Sequence, residues 1–153
     1  MFFGDPVAAF THLAKAIRPA GRLVLLTWQG PATNDWIREL SGALAAGRDL
    51  PLPPVDAPGP FSLSDPDRVR AILGSAGFGG VELDPRSEPM WLGHDTDDAQ
   101  RFVLGLMGWM LHGLDDSGRA RARASLQATL AAHSTDEGVF LGSATWTIRA
   151  TRS

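Results

Sequence analysis

The chain has 153 residues, 44% of them hydrophobic and 20% charged, which is ordinary for one globular domain with a buried core. Its 14 basic and 17 acidic residues give a net charge of −3, and Lys15 is the only lysine. We therefore expect no nucleic-acid partner, since such binding needs a basic patch. Cysteine is absent, which excludes disulfides and thiolate metal sites. No long apolar run and no charged leader stands in the sequence, so we expect a cytoplasmic protein without a membrane span.

The first segment predicts a helix followed by a strand. Asp5 is a favourable N-cap with Pro6 at the first helical position, and Pro19 and Gly21 end the pattern. The helix has one apolar face, made of Val7, Phe10, Leu13, Ala14 and Ile17. The continuous apolar run from Leu23 to Trp28 predicts a parallel strand covered on both faces.

The middle of the chain alternates helices with a proline-rich loop. Thr33 or Asn34 can cap a second helix over residues 36–46. Residues 48–61 contain five prolines, too many for regular structure, and are predicted to form a loop. A third helix begins at residues 64–66 and ends at Gly77, which is expected to adopt a left-handed conformation. A strand follows from Val81 and extends toward residue 91.

The last third predicts two helices and a final strand. Apolar spacing favours a helix over residues 97–112 and another over residues 118–133, and alternation favours a strand over residues 139–150. We interpret residues 97–133 as a helical insertion and residues 1–153 as a single domain.

Two motifs resemble the C-terminal half of a class I S-adenosylmethionine-dependent methyltransferase of the small-molecule, type 11-like group. The first is M-F-F-G-D-P at residues 1–6 with I-R-P-A-G-R-L at residues 17–23; the second is A-G-F at residues 76–78. The resemblance implies an α/β fold with a partial Rossmann-like sheet. That sheet would hold the late strands, the last one antiparallel, with flanking helices. The glycine-rich cofactor loop of the family does not occur in this chain.

The same resemblance suggests residues for a site. Phe2 and Phe3 match the position that faces the cofactor in the family, and the alternative is that they are core aromatics. Trp28 ends a strand where α/β sheets bind ligands, although buried packing is the simpler explanation. These three residues are candidates for cofactor and substrate contacts.

Asn34, Trp36 and His94 are further candidates for the substrate side. The simpler explanation of Asn34 is a helix N-cap. His94 could act as a base in a lid, whereas the acidic residues that follow it are typical of a capped helix start. The four histidines show no i, i+4 pair, so we expect no metal site.

Two functions remain open from the sequence. The chain could be the substrate-side half of a methyltransferase that transfers a methyl group to a small molecule and is inactive without its cofactor-loop half. The alternative is a non-catalytic remnant that binds a ligand or a partner. In either case the resemblance implies an unpaired strand edge, so we expect a homodimer or a complex with an N-terminal methyltransferase half.

Overall fold

The computed structural model describes residues 1–50, 54 and 57–153. Within these residues the chain is an α/β protein with five α-helices and an open antiparallel sheet of four strands. Short 3₁₀ segments lie at Pro31–Thr33 and Gly108–Leu111. The longer elements are α1 Pro6–Ala16, β1 Arg22–Trp28, α2 Asp35–Ala45, α3 Pro66–Ser75, β2 Phe78–Gly93, α4 Thr96–Met107, α5 Asp116–Ala132, β3 Ser134–Thr135 and β4 Gly138–Arg152.

Aspartate side chains fix the starts of four helices. Asp5, Asp65, Asp95 and Asp115 each accept a hydrogen bond from the backbone N–H three residues later. The bond satisfies one of the donors that a helix start leaves without a partner, and it explains why these helices begin where they do. The predicted helices are therefore confirmed to within a few residues. Gly77 has a φ of 91°, which confirms the left-handed residue expected after α3.

The sheet has the order β1-β4-β2, with β3 also paired to β4. Strand β1 is antiparallel to β4, with Leu25 opposite Ile148. The prediction of a parallel strand covered on both faces was wrong, because alternate residues of β1 differ in exposure. Leu23 and Leu25 pack on the core, whereas Val24 and Leu26 are 61% and 66% exposed. An apolar run predicts a strand, but it does not say which faces are covered.

The contacts divide the chain into two compact units. Unit 1 contains Met1–Thr33, Pro53–Ser87 and Ala144–Ser153, and unit 2 contains Asn34–Leu52 and Glu88–Ser143. In unit 1, α1 packs against α3, and the core cluster joins both helices to the strands. Its buried members are Phe10, Ala14, Leu63, Val69, Ile72, Leu73, Ala76, Phe78, Ile148 and Ala150.

Unit 2 is built on α5, which packs against α2 and α4. The guanidinium of Arg48 joins two chain turns in this unit. Its Nε donates to the carbonyl of Ala45 at 2.9 Å, and its Nη2 donates to the carbonyl of Met110. A planar group with several donors can satisfy the carbonyls that a helix end leaves without partners. The ends of α2 and of the 3₁₀ segment after α4 are thus held by one side chain.

The predicted proline-rich loop is described in part. At residues 48–50, 54 and 57–61 the backbone forms no helix or strand, as expected. The prediction for residues 51–53 and 55–56 lies outside the described residues. No helix in the described part of the chain is long and apolar enough to cross a membrane.

Candidate functional site

The first residue of unit 1 is anchored by its backbone. The carbonyl of Met1 accepts hydrogen bonds from the Ser62 hydroxyl at 2.6 Å and from the Gly59 N–H at 3.2 Å. Partial burial lowers the pKa of the Met1 amino group by removing water from its charged form. The residue that precedes the two candidate phenylalanines is therefore held in place.

The two phenylalanines differ in their surroundings. Phe3 contacts Phe10 edge to face, with ring centroids 6.1 Å apart, and is about half exposed. Phe2 is 70% exposed, so the core alternative does not hold for it. An exposed aromatic ring next to an anchored backbone is available for contact with a ligand or with another polypeptide. The cofactor role of Phe2 and Phe3 stays a prediction.

Trp28 is the last residue of β1 and is half-buried. It lies opposite Thr145 of β4, and the alternation of a strand places it on the same face as Val24 and Leu26. The argument that ligands bind at the carboxyl end of a parallel strand gains no support here, because the pairing of β1 with β4 is antiparallel. The role of Trp28 in substrate binding stays a prediction.

Asn34 and Trp36 form a buried polar pair in unit 2. Asn34 is at the N-cap position of α2, but its side chain makes no capping hydrogen bond. Its Oδ1 instead accepts from the Trp36 indole N–H at 3.1 Å. The capping explanation of this side chain was therefore wrong. The two residues are 0% and 5% exposed, so a ligand would reach them only after a local rearrangement.

His94 lies on the surface of unit 2, beside the start of α4. Its ring contacts the Trp91 indole edge to face at 4.9 Å, and its backbone N–H donates to Asp98 at 3.1 Å. Asp95 accepts from the Asp98 N–H at 2.8 Å. The acidic residues therefore cap α4, as the simpler explanation predicted. The role of His94 as a base stays a prediction.

One pair of ionisable residues was missed by the sequence reasoning. His133 at the end of α5 is bonded through Nε2 to Glu39 of α2 at 2.7 Å, and both side chains are about one-third exposed. Arg38 lies 3.5 Å from the other carboxylate oxygen of Glu39. A carboxylate that fixes the histidine ring can orient it for proton transfer, and it can equally fasten two helices. No local motif could reveal a pair whose members are 94 residues apart.

Two cavities of unit 2 are not lined by the predicted site residues Asn34, Trp36 and His94. One, of about 440 Å³, is lined by Pro89, Thr135, Asp136, Glu137 and Phe140. Another, of about 560 Å³, is lined by Asp95, Asp97, Gln100, Arg101, Leu104 and Arg123. Both are shallow and open to solvent. Among the residues with described positions, no group of three histidine or acidic side chains could hold a metal ion.

Phe2, Phe3 and Trp28 belong to unit 1, whereas Asn34, Trp36 and His94 belong to unit 2. Within unit 2, hydrogen bonding brings together Asn34 and Trp36. No protein-family model matches the chain, and no curated protein matches it.

Proposed function

We propose that this chain is the C-terminal half of an S-adenosylmethionine-dependent methyltransferase that acts on a small molecule and needs an N-terminal half for activity. The observation that carries the proposal is the position of β4. This last strand lies between β1 and β2 and is antiparallel to β1. The sequence resemblance implies the same arrangement, with the final strand inserted antiparallel beside the strand at residues 23–28.

The chain's own residues do not fit a complete site for the cofactor. The sequence has no glycine-rich loop between a strand and a helix, which is the device that lets backbone N–H groups approach such a ligand. Phe2 and Phe3 can offer apolar contacts alone. Methyl transfer depends strongly on holding donor and acceptor in line, and we assign to this chain the acceptor side of that arrangement.

Titration calorimetry tests the cofactor part of the proposal. We expect the isolated chain to bind S-adenosylmethionine no more tightly than about 1 mM, which corresponds to about −4 kcal/mol. The same chain, joined to the polypeptide encoded directly upstream of Met1, is expected to bind in the micromolar range. Micromolar binding by the isolated chain would contradict the proposal, as would an upstream coding sequence without a glycine-rich loop.

The second candidate is a non-catalytic domain that binds a partner. The exposure of Val24 and Leu26 on an end strand favours it, because monomeric domains usually cover such apolar strand surface. The calorimetric experiment separates the two functions. A chain that gains no cofactor binding with its upstream polypeptide, yet forms a stable complex with that polypeptide, is a partner-binding domain.

A further inference from the structure

Helix α4 and the 3₁₀ segment that continues it carry an exposed apolar stripe in unit 2. The buried face of the helix consists of Ala99, Val103 and Met107. Beside that face, Phe102, Leu106 and Trp109 follow one another at positions i, i+4 and i+7, and their side chains are 50%, 52% and 63% exposed. Residues at this spacing lie on one side of a helix. The helix therefore has a second apolar side that the described residues leave open to solvent.

Gly105 lies in the same stripe, and no packing within the chain requires it. It follows Phe102 by three residues and precedes Trp109 by four, and a Cβ atom added to it would meet nothing within 4 Å. A glycine inside a helix costs about 1 kcal/mol relative to alanine. At a helix crossing, however, the missing side chain lets two helix axes approach toward the short end of the usual range of about 8–10 Å. The glycine thus favours another helix as the occupant of this surface.

The order of residue types along the stripe is nearly the same in both directions. An acid, an aromatic ring, a leucine, an aromatic ring and a histidine follow one another at intervals of three or four residues, namely Asp98, Phe102, Leu106, Trp109 and His112. In an antiparallel pair of these helices, a two-fold axis near Leu106 places Phe102 opposite the partner's Trp109 and the two leucines against each other. The carboxylate of Asp98 then lies at the same end as the partner's His112, whose side chain is exposed. The stripe is therefore complementary to itself.

The apolar area of the stripe is sufficient for a reversible dimer. Half-exposed side chains of this size offer on the order of 100 Å² each, so the three together offer on the order of 300 Å² per copy. With a polar rim around such a core, the interface falls at the lower end of specific interfaces, at about 1,200 Å² in total. We therefore expect association that depends on concentration in the micromolar range.

We propose that the α4 surface, defined as Phe102, Gly105, Leu106 and Trp109, binds a second copy of this chain, with the two helices antiparallel and Gly105 near the two-fold axis. This contact lies within unit 2. It differs from the strand edge through which the sequence resemblance implies a homodimer, and it does not depend on the proposed function.

Disulfide trapping tests the contact directly, because the chain contains no cysteine of its own. Gly105→Cys places a thiol near the proposed axis, and Gly42→Cys is the matched control at an equally open glycine inside α2. A disulfide needs Cα atoms about 4.4–6.8 Å apart, which a close helix crossing at residue 105 provides. With oxidised glutathione as the oxidant, we expect Gly105→Cys to form the linked dimer at least about tenfold faster than Gly42→Cys. Adding Leu106→Lys is expected to reduce this rate to that of the control.

Light scattering gives a readout that needs no thiol. We expect Leu106→Lys to weaken the dimer at least about tenfold. Leu13→Lys, which places the same charge at an exposed leucine of α1, is expected to change it less than about twofold. Both measurements use the Leu26→Lys background, so that association through β1 does not contribute, and circular dichroism verifies that each variant is folded.

Three outcomes would overturn the inference. The first is a chain that stays monomeric up to a concentration on the order of 1 mM, which would leave the α4 surface to a different partner. The second is equal trapping of the Gly105→Cys and Gly42→Cys variants, which would place the contact elsewhere. The third is a dimer whose dissociation constant Leu106→Lys leaves unchanged.

Discussion

At the scale of single residues, the buried Asn34 side chain finds a partner close by in the sequence. Asn34 and Trp36 are two residues apart, and the bond between them replaces the helix cap that the sequence favours. A cap is a frequency-based expectation, whereas a buried indole N–H imposes the full cost of desolvation if it stays unpaired. The cost of an unpaired indole N–H outweighs the gain from a cap, so the Asn34 carboxamide bonds to Trp36.

Replacement of this carboxamide tests that explanation. Asn34→Ala removes the acceptor and leaves the Trp36 N–H buried, and we expect a loss of about 1–3 kcal/mol in the free energy of unfolding. In a Trp36→Phe background no indole N–H remains, so the same substitution is expected to cost less. Urea unfolding of the four proteins measures the difference. Equal costs in both backgrounds would show that the bond contributes nothing.

Asp115 predicts a pH dependence of stability. The N–H of Gly118 and the hydroxyl of Ser117 hold the pKa of this carboxyl below its usual value of 3.8. A lowered folded-state pKa gives stability that is present above 3.8 and is lost as the pH falls through the folded value. Asp115→Asn is expected to flatten this part of the unfolding profile. Asp116→Asn, which removes the same charge but leaves the cap in place, is the control; identical profiles for the two variants would contradict the role of the cap.

At the scale of elements, α4 packs so closely against the end of β2 that Gly93 leaves no room for a side chain. A Cβ atom added at Gly93 would lie 2.5 Å from the backbone nitrogen of Ala99 and 2.9 Å from its Cα. Backbone atoms cannot move aside as a flexible side chain does, so we expect Gly93→Ala to destabilise the protein by about 1–3 kcal/mol. Gly105→Ala, inside α4 with nothing within 4 Å, is expected to be neutral or stabilising by up to about 1 kcal/mol. Thermal unfolding compares the two, and an unchanged melting temperature for Gly93→Ala would refute this packing.

The helices and strands also show which features of the fold a local sequence pattern can predict. Helix starts were predicted well, because an aspartate cap followed by proline or by a first helical turn is a local signal, as at Asp5 and Asp65. The exposure of the two faces of β1 was not predicted, because it depends on which elements pack against the strand. Of the candidate site, the capping acids beside His94 were predicted for the same local reason. The burial of Trp36 and the pairing of His133 with Glu39 depend on contacts between helices, which no local pattern contains.

At the scale of the whole molecule, one strand contributes both to the core and to the surface, because its two faces differ in exposure. Leu25 packs against the core cluster of unit 1, whereas the adjacent Leu26 is exposed on the opposite face. The first leucine therefore contributes to folding, and the second is available for association. The same residue type at neighbouring positions serves the two purposes because side chains alternate along a strand.

A matched pair of substitutions separates these two purposes. We expect Leu25→Lys to lower the free energy of unfolding by about 2 kcal/mol or more, because it replaces core packing with a charge. Leu26→Lys is expected to change stability by about 0.5 kcal/mol or less, as is usual for an exposed position. The unmodified chain, with an open apolar edge, is expected to associate as its concentration rises, and a lysine at position 26 opposes that association. Urea unfolding and light scattering at micromolar concentration give the two readouts. Equal destabilisation by both lysines would show that the two faces of β1 are not distinct, and an unmodified chain that stays monomeric throughout would show that this surface does not drive self-association.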